Sequence, residues 1–173
     1  MWSSELGRIA RGAAMAAALM LGGCETVGLH PLYMSRGGDM QGILQTIAVD
    51  PIPDRFGHYL ADKLVSTFNG TGTTVAPRYH LVVVPHIGTQ APLISTTTQT
   101  ATAATVTANV DFRLIAVGGG EPVAKGTVVS AATYNRSLQR FANIRAARDA
   151  EIRNAETVAD QIATQVSAQL ATR

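Results

Sequence analysis

The chain has a single cysteine in 173 residues, so no disulfide can form within it, and an oxidising compartment would have to be met by packing alone. Aromatic side chains make up 5% and charged ones 15%. Rings are too few to stack successive bases, and no basic stretch is dense enough to track a nucleic-acid backbone. The first 23 residues hold two of the 14 Lys and Arg and one of the 12 Asp and Glu, leaving 12 basic against 11 acidic residues downstream. The high isoelectric point is therefore a small excess on a lightly charged protein. No apolar run approaches the roughly 20 residues needed to cross a bilayer as a helix. Catalytic constellations are missing too: no Ser, His and acid stand in a recognisable context, and no Gly-rich loop leads into a helix with a Lys. The expectation is a non-catalytic protein without cofactor or metal. His80 and His86 are six apart in a predicted strand, hence about 20 Å apart by strand rise, too far to share an ion.

What is present begins at the amino terminus. Arg8 and Arg11 precede the apolar run Gly12–Gly23, which ends in small residues. A charged region, a short apolar region and a small-residue exit are the layout of a secretory signal. The run closes on Leu21-Gly22-Gly23-Cys24, which resembles the bacterial lipobox. In such signals the cysteine thiol takes diacylglycerol as a thioether, the chain is cut before it, and the new amino group is acylated, so Cys24 is expected to carry N-acyl diacylglycerol, palmitate among its acyl chains. Each buried methylene contributes about 0.8 kcal/mol, and two chains suffice for stable attachment. Glu25, rather than Asp, follows the cysteine, which favours the outer membrane over retention in the inner one. The expected division is a signal peptide over 1–23, a lipidated tether over 24–42 and one domain over 43–173.

Periodicity gives the domain its outline. Ile43, Ile47 and Val49 share one face of a first strand. Two prolines then break it, Asp54 is placed to cap a helix, and Leu60, Leu64 and Phe68 recur every four residues before Asn69-Gly70 ends it. Gly57 weakens that helix relative to Ala without erasing the stripe. Tyr79–Gly88 is a β-branched run whose Pro85 predicts an edge or a bulge. From Ala104 to Ala116 every even position is apolar, while Thr105, Thr107, Asn109, Asp111 and Arg113 fill odd positions. That alternation predicts a strand with one face in the core and one in water; a change of phase near Ala103 predicts a bulge. Gly118–Pro122 is a hairpin turn and Val123–Ser137 the returning strand. From Gln139 onward a long helix carries Ala155, Val158, Ala159, Ile162, Val166 and Leu170 on one stripe. A helix longer than its sheet requires can leave one end free. Together these elements predict an α+β two-layer sandwich, with two helices on one face of a four-stranded, mostly antiparallel mixed sheet.

Several of these stretches also carry a family likeness. "GLHPLY", shortly after the lipobox cysteine, resembles the "GF-x-PLY" that opens mature lipopolysaccharide-assembly lipoproteins, the LptE family, in its α-proteobacterial form. Ile52, Arg55, Gly57, Leu60 and Leu64 match that family's "I-x-x-R-x-G-x-x-L-x-x-x-L". "VDFRLIAVGGGEPVAKG" is similar to its hairpin, with Phe112 in place of the usual Tyr and without the Asp and Thr near the turn; Asp149 and Ala150, with alanines just before them, resemble "A-x-x-D-A" in the last helix. The resemblance implies a lipoprotein anchored on the periplasmic side of the outer membrane. It implies too that the protein plugs a large β-barrel of the LptD type, helps it assemble, and takes part in placing lipopolysaccharide in the outer leaflet.

No motif assigns lipopolysaccharide contacts. Arg78, Arg113, Lys125 and Arg136 are the basic residues on strands or at their ends, and they are the candidates for lipid A phosphates. Each taken singly is also an ordinary surface charge. Arg55 has a structural alternative, pairing with the end of the sheet or with the helix start at Asp54. A periplasm-facing ligand-binding or transporter-accessory lipoprotein would share the same anchor and domain; a concave apolar pocket would favour it.

Overall fold

The structure, a computed structural model, describes residues 37–70, 75–94 and 101–172. The signal peptide, the lipobox with Cys24, most of the tether, "GLHPLY" and the Thr-rich stretch over 95–100 lie outside the described residues. In chain order the elements are α1 (Gly37–Leu44), β1 (Ile47–Val49), α2 (Asp54–Phe68), β2 (Tyr79–Ile94), β3 (Ala101–Ala116), β4 (Ala124–Asn135) and α3 (Arg140–Ala171). The sheet runs β1-β2-β3-β4, with β1 parallel to β2 and the remaining pairs antiparallel. This is the α+β arrangement the periodicity predicts.

The even positions of β3 account for much of the core. Val106, Ala108, Val110, Phe112 and Leu114 are all buried, joined by Leu81 and Val83 from β2 and by Ala124 and Val128 from β4. Onto this face α2 sets Leu60, Leu64 and Phe68, and α3 sets Ala155, Val158, Ala159, Ile162 and Val166. α3 lies over β3 and β4, while α2 fills the space beside it towards β1. The small residues of α3 bring its axis close to the sheet, as dense packing requires where facing side chains are also small. Gly126 serves the same fit. A Cβ there would stand 2.9 Å from the Phe112 ring and 2.6 Å from Gln165 Oε1, so the glycine on β4 gives the aromatic ring on β3 its place.

The start of α2 differs from its expected form. Pro53 occupies the cap position, no side chain caps the helix, and Asp54 is its first residue with φ +69°. The two prolines fix the chain's direction into the helix, so Asp54 takes the left-handed conformation that Asp tolerates better than most residues. Gly57 is required rather than merely tolerated: a Cβ would meet Ile52 Cγ2 at 2.6 Å and Ile52 O at 2.8 Å. At the other end Asn69 closes the helix as predicted, its N–H donating to Val65 O at 2.8 Å. The first strand is shorter than predicted, because Ile43 and Leu44 finish α1, and Thr46 Oγ1 donates back to Ile43 O at 2.7 Å.

The hairpin between β3 and β4 turns on Gly118, Gly119 and Gly120, all at positive φ, a run that only glycine accommodates readily. The predicted bulge lies across from the expected place, as register shifts on β2 between Gln90 and Ile94, opposite Ala103 and Ala101.

Both sheet edges are interrupted. On β4 the Gln169 side chain bonds both backbone groups of Lys125, at 3.1 Å each, so these groups point away from β3. Farther along the same edge, Arg153 Nη2 donates to Thr133 O at 3.5 Å. On β2 the outward groups include Leu81 O, which accepts from Asp50 N at 3.0 Å. Pro85, four residues on, has the same outward phase beyond the end of β1. Its missing N–H therefore falls on the free edge and costs no ladder bond, which is how a strand keeps a proline.

Candidate functional site

Because successive strand residues alternate in direction, the second face of the sheet carries most of the strands' polar side chains, with Val84, Val129 and Ala131 exposed among them. Neither helix covers it. Its centre is a row of cross-strand polar pairs: Thr105 and Thr133 with hydroxyls 3.0 Å apart, and Thr127 donating to Asp111 Oδ1 at 2.5 Å. Beside them Thr107 Oγ1 donates to Gly88 O at 3.3 Å. These bonds lie within the sheet surface. At the β1 end His80 Nδ1 stands 2.9 Å from Asp50 Oδ1, both half-exposed. His86 lies farther along the same strand, exposed. Among the described residues no three His, Cys, Asp or Glu side chains gather as metal ligands.

The four candidate cations do not form one cluster. Arg113 and Lys125 are register partners on β3 and β4, directly opposed on the open face. They flank a shallow depression that also involves Val84, Asp111 and Thr127. Arg78 lies near the same end of the sheet, where its N–H donates to Thr46 O at 2.9 Å and its carbonyl accepts from Val117 N at 2.8 Å. Arg136 is eleven residues beyond Lys125, past the other end of β4, roughly 35 Å away by strand rise. Like charges placed directly opposite on a sheet repel. Arg113 and Lys125 make no ion pair among the described residues, although Asp111, two residues from Arg113 on the same face, lines the same depression.

Arg55, by contrast, has a structural role. Its Nε and Nη2 donate to Glu151 Oε2 and Oε1 at 2.9 and 2.7 Å, tying α2 to α3 across 96 residues of sequence. Its pKa is raised by the hydrogen bond and then by the charge of Glu151, so the guanidinium keeps its proton under all ordinary conditions. Arg148 Nε donates to Tyr59 Oη at 2.8 Å alongside. The Ile52, Arg55 and Gly57 of the family-like motif thus carry no chemistry for a ligand. They brace the two helices and seat the first turn of α2 on the preceding segment. Sequence reasoning could not name Glu151 as the partner, because nothing local distinguishes it from the other acids of α3.

A mixed four-stranded sheet with two helices on one side is an architecture that several bacterial lipoproteins share. A protein assigned as a lipoprotein of Caulobacter crescentus superposes with a TM-score of 0.64 at 22% identity, over 79% of this chain and 98% of its own. Rare lipoprotein B of Shewanella oneidensis gives 0.55 at 10% identity, over 73% and 96%. A minor lipoprotein of Acinetobacter baumannii gives 0.52 at 15%, over 70% and 90%. At these identities the likeness is one of fold. No curated protein matches the chain in sequence. The family described as "LptE: Lipopolysaccharide-assembly" matches residues 44–166, nearly all of the described domain. The chain belongs to the LptE family of lipopolysaccharide-assembly lipoproteins, as its motifs suggest.

Proposed function

We propose that this lipoprotein, anchored through acylated Cys24 on the periplasmic side of the outer membrane, plugs an LptD-type β-barrel. In that seat it assists the barrel's assembly and takes part in delivering lipopolysaccharide to the outer leaflet. The observation that carries this reading is the open sheet face, which bears a run of threonines with cross-strand hydrogen bonds and lies opposite the helices that cover the core. The lumen of a large membrane barrel is polar and water-lined, and a plug needs such a surface more than an apolar one. Hydroxyls in register on adjacent strands can exchange their hydrogen bonds with a polar wall without leaving buried groups unpaired. The protein supplies binding and shape and no catalysis. Arg113 and Lys125, opposed beside Asp111, are the pair offered to a lipid A phosphate, with Arg78 near their end of the sheet. Arg136 is too far along the sheet to join them on one phosphate.

The direct test is recovery of the lipidated protein in mild detergent from its own outer membrane, with identification of what accompanies it. A single large β-barrel at one-to-one stoichiometry, together with lipopolysaccharide, is the expected result. A photo-crosslinker at Thr107 or Val129 should then capture the barrel, and one at Thr164 on α3 should capture it less. Recovery of the protein alone, or with an inner-membrane transporter, would overturn the reading. Cys24→Ser should abolish acylation and release the chain from the membrane; a protein that stayed acylated would refute the anchor.

A further inference from the structure

The first two turns of α3 carry a surface that the packing of the domain does not use. Leu138 is 92% exposed, Phe141 83% and Ile144 55%. Phe141, Ile144 and Arg145 recur at helical spacing and extend, toward the amino end and past the packed part of the domain, the stripe that Ala155, Val158 and Ala159 bury farther along α3. Leu138 is held in place by its neighbours. Asn143 brackets Ser137 on both sides: its Oδ1 accepts from Ser137 N at 2.8 Å, and its Nδ2 donates to Ser137 O at 2.7 Å. Gln139 N also donates to Ser137 Oγ at 3.2 Å. An ordered turn thus keeps a large apolar side chain in solvent, next to an aromatic ring that is equally uncovered.

Charge completes the pattern. Between Glu121 and Asp149 the sequence holds Lys125, Arg136, Arg140, Arg145 and Arg148 and no acidic residue. Arg148 is engaged by Tyr59, and Asp149, the first acid beyond, is engaged by Arg153 at 2.9 Å. Arg136, Arg140 and Arg145 have no hydrogen-bond or ion-pair partner among the described residues. A short apolar row rimmed by unpaired arginines suits a bilayer interface. Leu and Phe side chains enter the boundary of the acyl region, while guanidinium groups stay at headgroup depth on phosphate. The same row offers no counter-charge to a mixed-sign protein surface.

We propose that the start of α3 is a second membrane contact. In it Leu138, Phe141 and Ile144 lie in the interface of an anionic phospholipid bilayer, and Arg136, Arg140 and Arg145 sit on its phosphates. The contact belongs to the lipoprotein on a bilayer, before or without a barrel partner, and does not rest on the barrel reading.

The test uses the processed, lipidated protein with Phe141→Trp; the chain's single tryptophan, Trp2, leaves with the signal, so one indole reports. The protein is reconstituted in phosphatidylethanolamine vesicles containing phosphatidylglycerol, and separately in phosphatidylcholine alone, each with and without brominated acyl chains. Bromine is expected to quench the indole in the anionic vesicles. The same chain with Val129→Trp in place of Phe141→Trp, on the open sheet face, should stay unquenched. Each arginine near an anionic surface is worth about a fivefold gain in occupancy. Replacing Arg136, Arg140 and Arg145 together by Glu should therefore lower the docked-to-undocked ratio by on the order of a hundredfold. An unchanged melting curve would show that the variant still folds, as expected for side chains that pack against nothing. Absence of bromine quenching in anionic vesicles would overturn the proposal, as would equal quenching in phosphatidylcholine. Shielding of the indole only when outer-membrane proteins are added, with no bromine quenching, would assign the surface to a protein partner instead.

Discussion

The two faces of the sheet are built from alternate residues of the same strands, and they follow different rules. On the helix side β3 presents Val106, Ala108, Val110, Phe112 and Leu114, all buried, with side chains graded in size so that Gly126 lies beneath the Phe112 ring and Ala155 and Ala159 let α3 approach. On the other side the same strand presents Thr105, Thr107, Asn109, Asp111 and Arg113, whose bonds run sideways to β2 and β4. The first face is specific in shape and supplies the stability. The second is nearly indifferent to shape and keeps its surface for something outside the chain. A substitution two residues away on the same strand should have the same kind of effect, and one residue away the opposite kind.

Phe112→Ala should cost about 3–5 kcal/mol, since it leaves a cavity over Gly126 that α3 cannot close; a thermal melt would register it, and a loss under 1 kcal/mol would mean the two-layer core is packed otherwise. Gly57→Ala tests whether the family-like glycine is conformational or steric. Because Ile52 backbone atoms block the new methyl, a loss of about 1–3 kcal/mol is expected instead of the usual helical gain. Glu151→Ala removes the half-buried, bidentate partner of exposed Arg55 and should cost about 1 kcal/mol, less as salt is raised. Lys125→Glu should leave stability unchanged or raise it by a few tenths of a kcal/mol, by replacing a like-charged pair with an opposite one, while lipopolysaccharide recovered with the protein falls. A large destabilisation from Lys125→Glu would erase the distinction between the faces.

The sheet faces were legible because period 2 in β3 runs unbroken for thirteen residues and admits one reading. The same holds for the stripe of α3, where Val158, Ile162 and Val166 are buried as their spacing requires. Tertiary contacts were not legible. Nothing around Arg55 announces Glu151, and the cost of Gly57 in a helix could be stated from propensity while its reason, the backbone of Ile52, could not. Asp54 reads as a cap by residue type, but the two prolines before it decide the backbone and shift the cap to Pro53. At the candidate site, composition marked the four cations. Only strand register could show that Arg113 and Lys125 face one another and that Arg136 stands at the far end. The apolar start of α3 went unmarked, because a Leu, a Phe and an Ile at helical spacing ordinarily signal core.

The amide of Gln169 occupies both backbone groups of Lys125 much as a neighbouring peptide would, so the last turns of α3 act as a one-residue substitute for a fifth strand. That arrangement has a direction in time. β4 emerges from the ribosome more than thirty residues ahead of the glutamine that closes its edge, and until Gln169 arrives the sheet is open to any extended chain nearby. The protein's protection against its own kind is thus made after the edge it covers, and a chain ending before Gln169 should reveal this as concentration-dependent self-association in sedimentation.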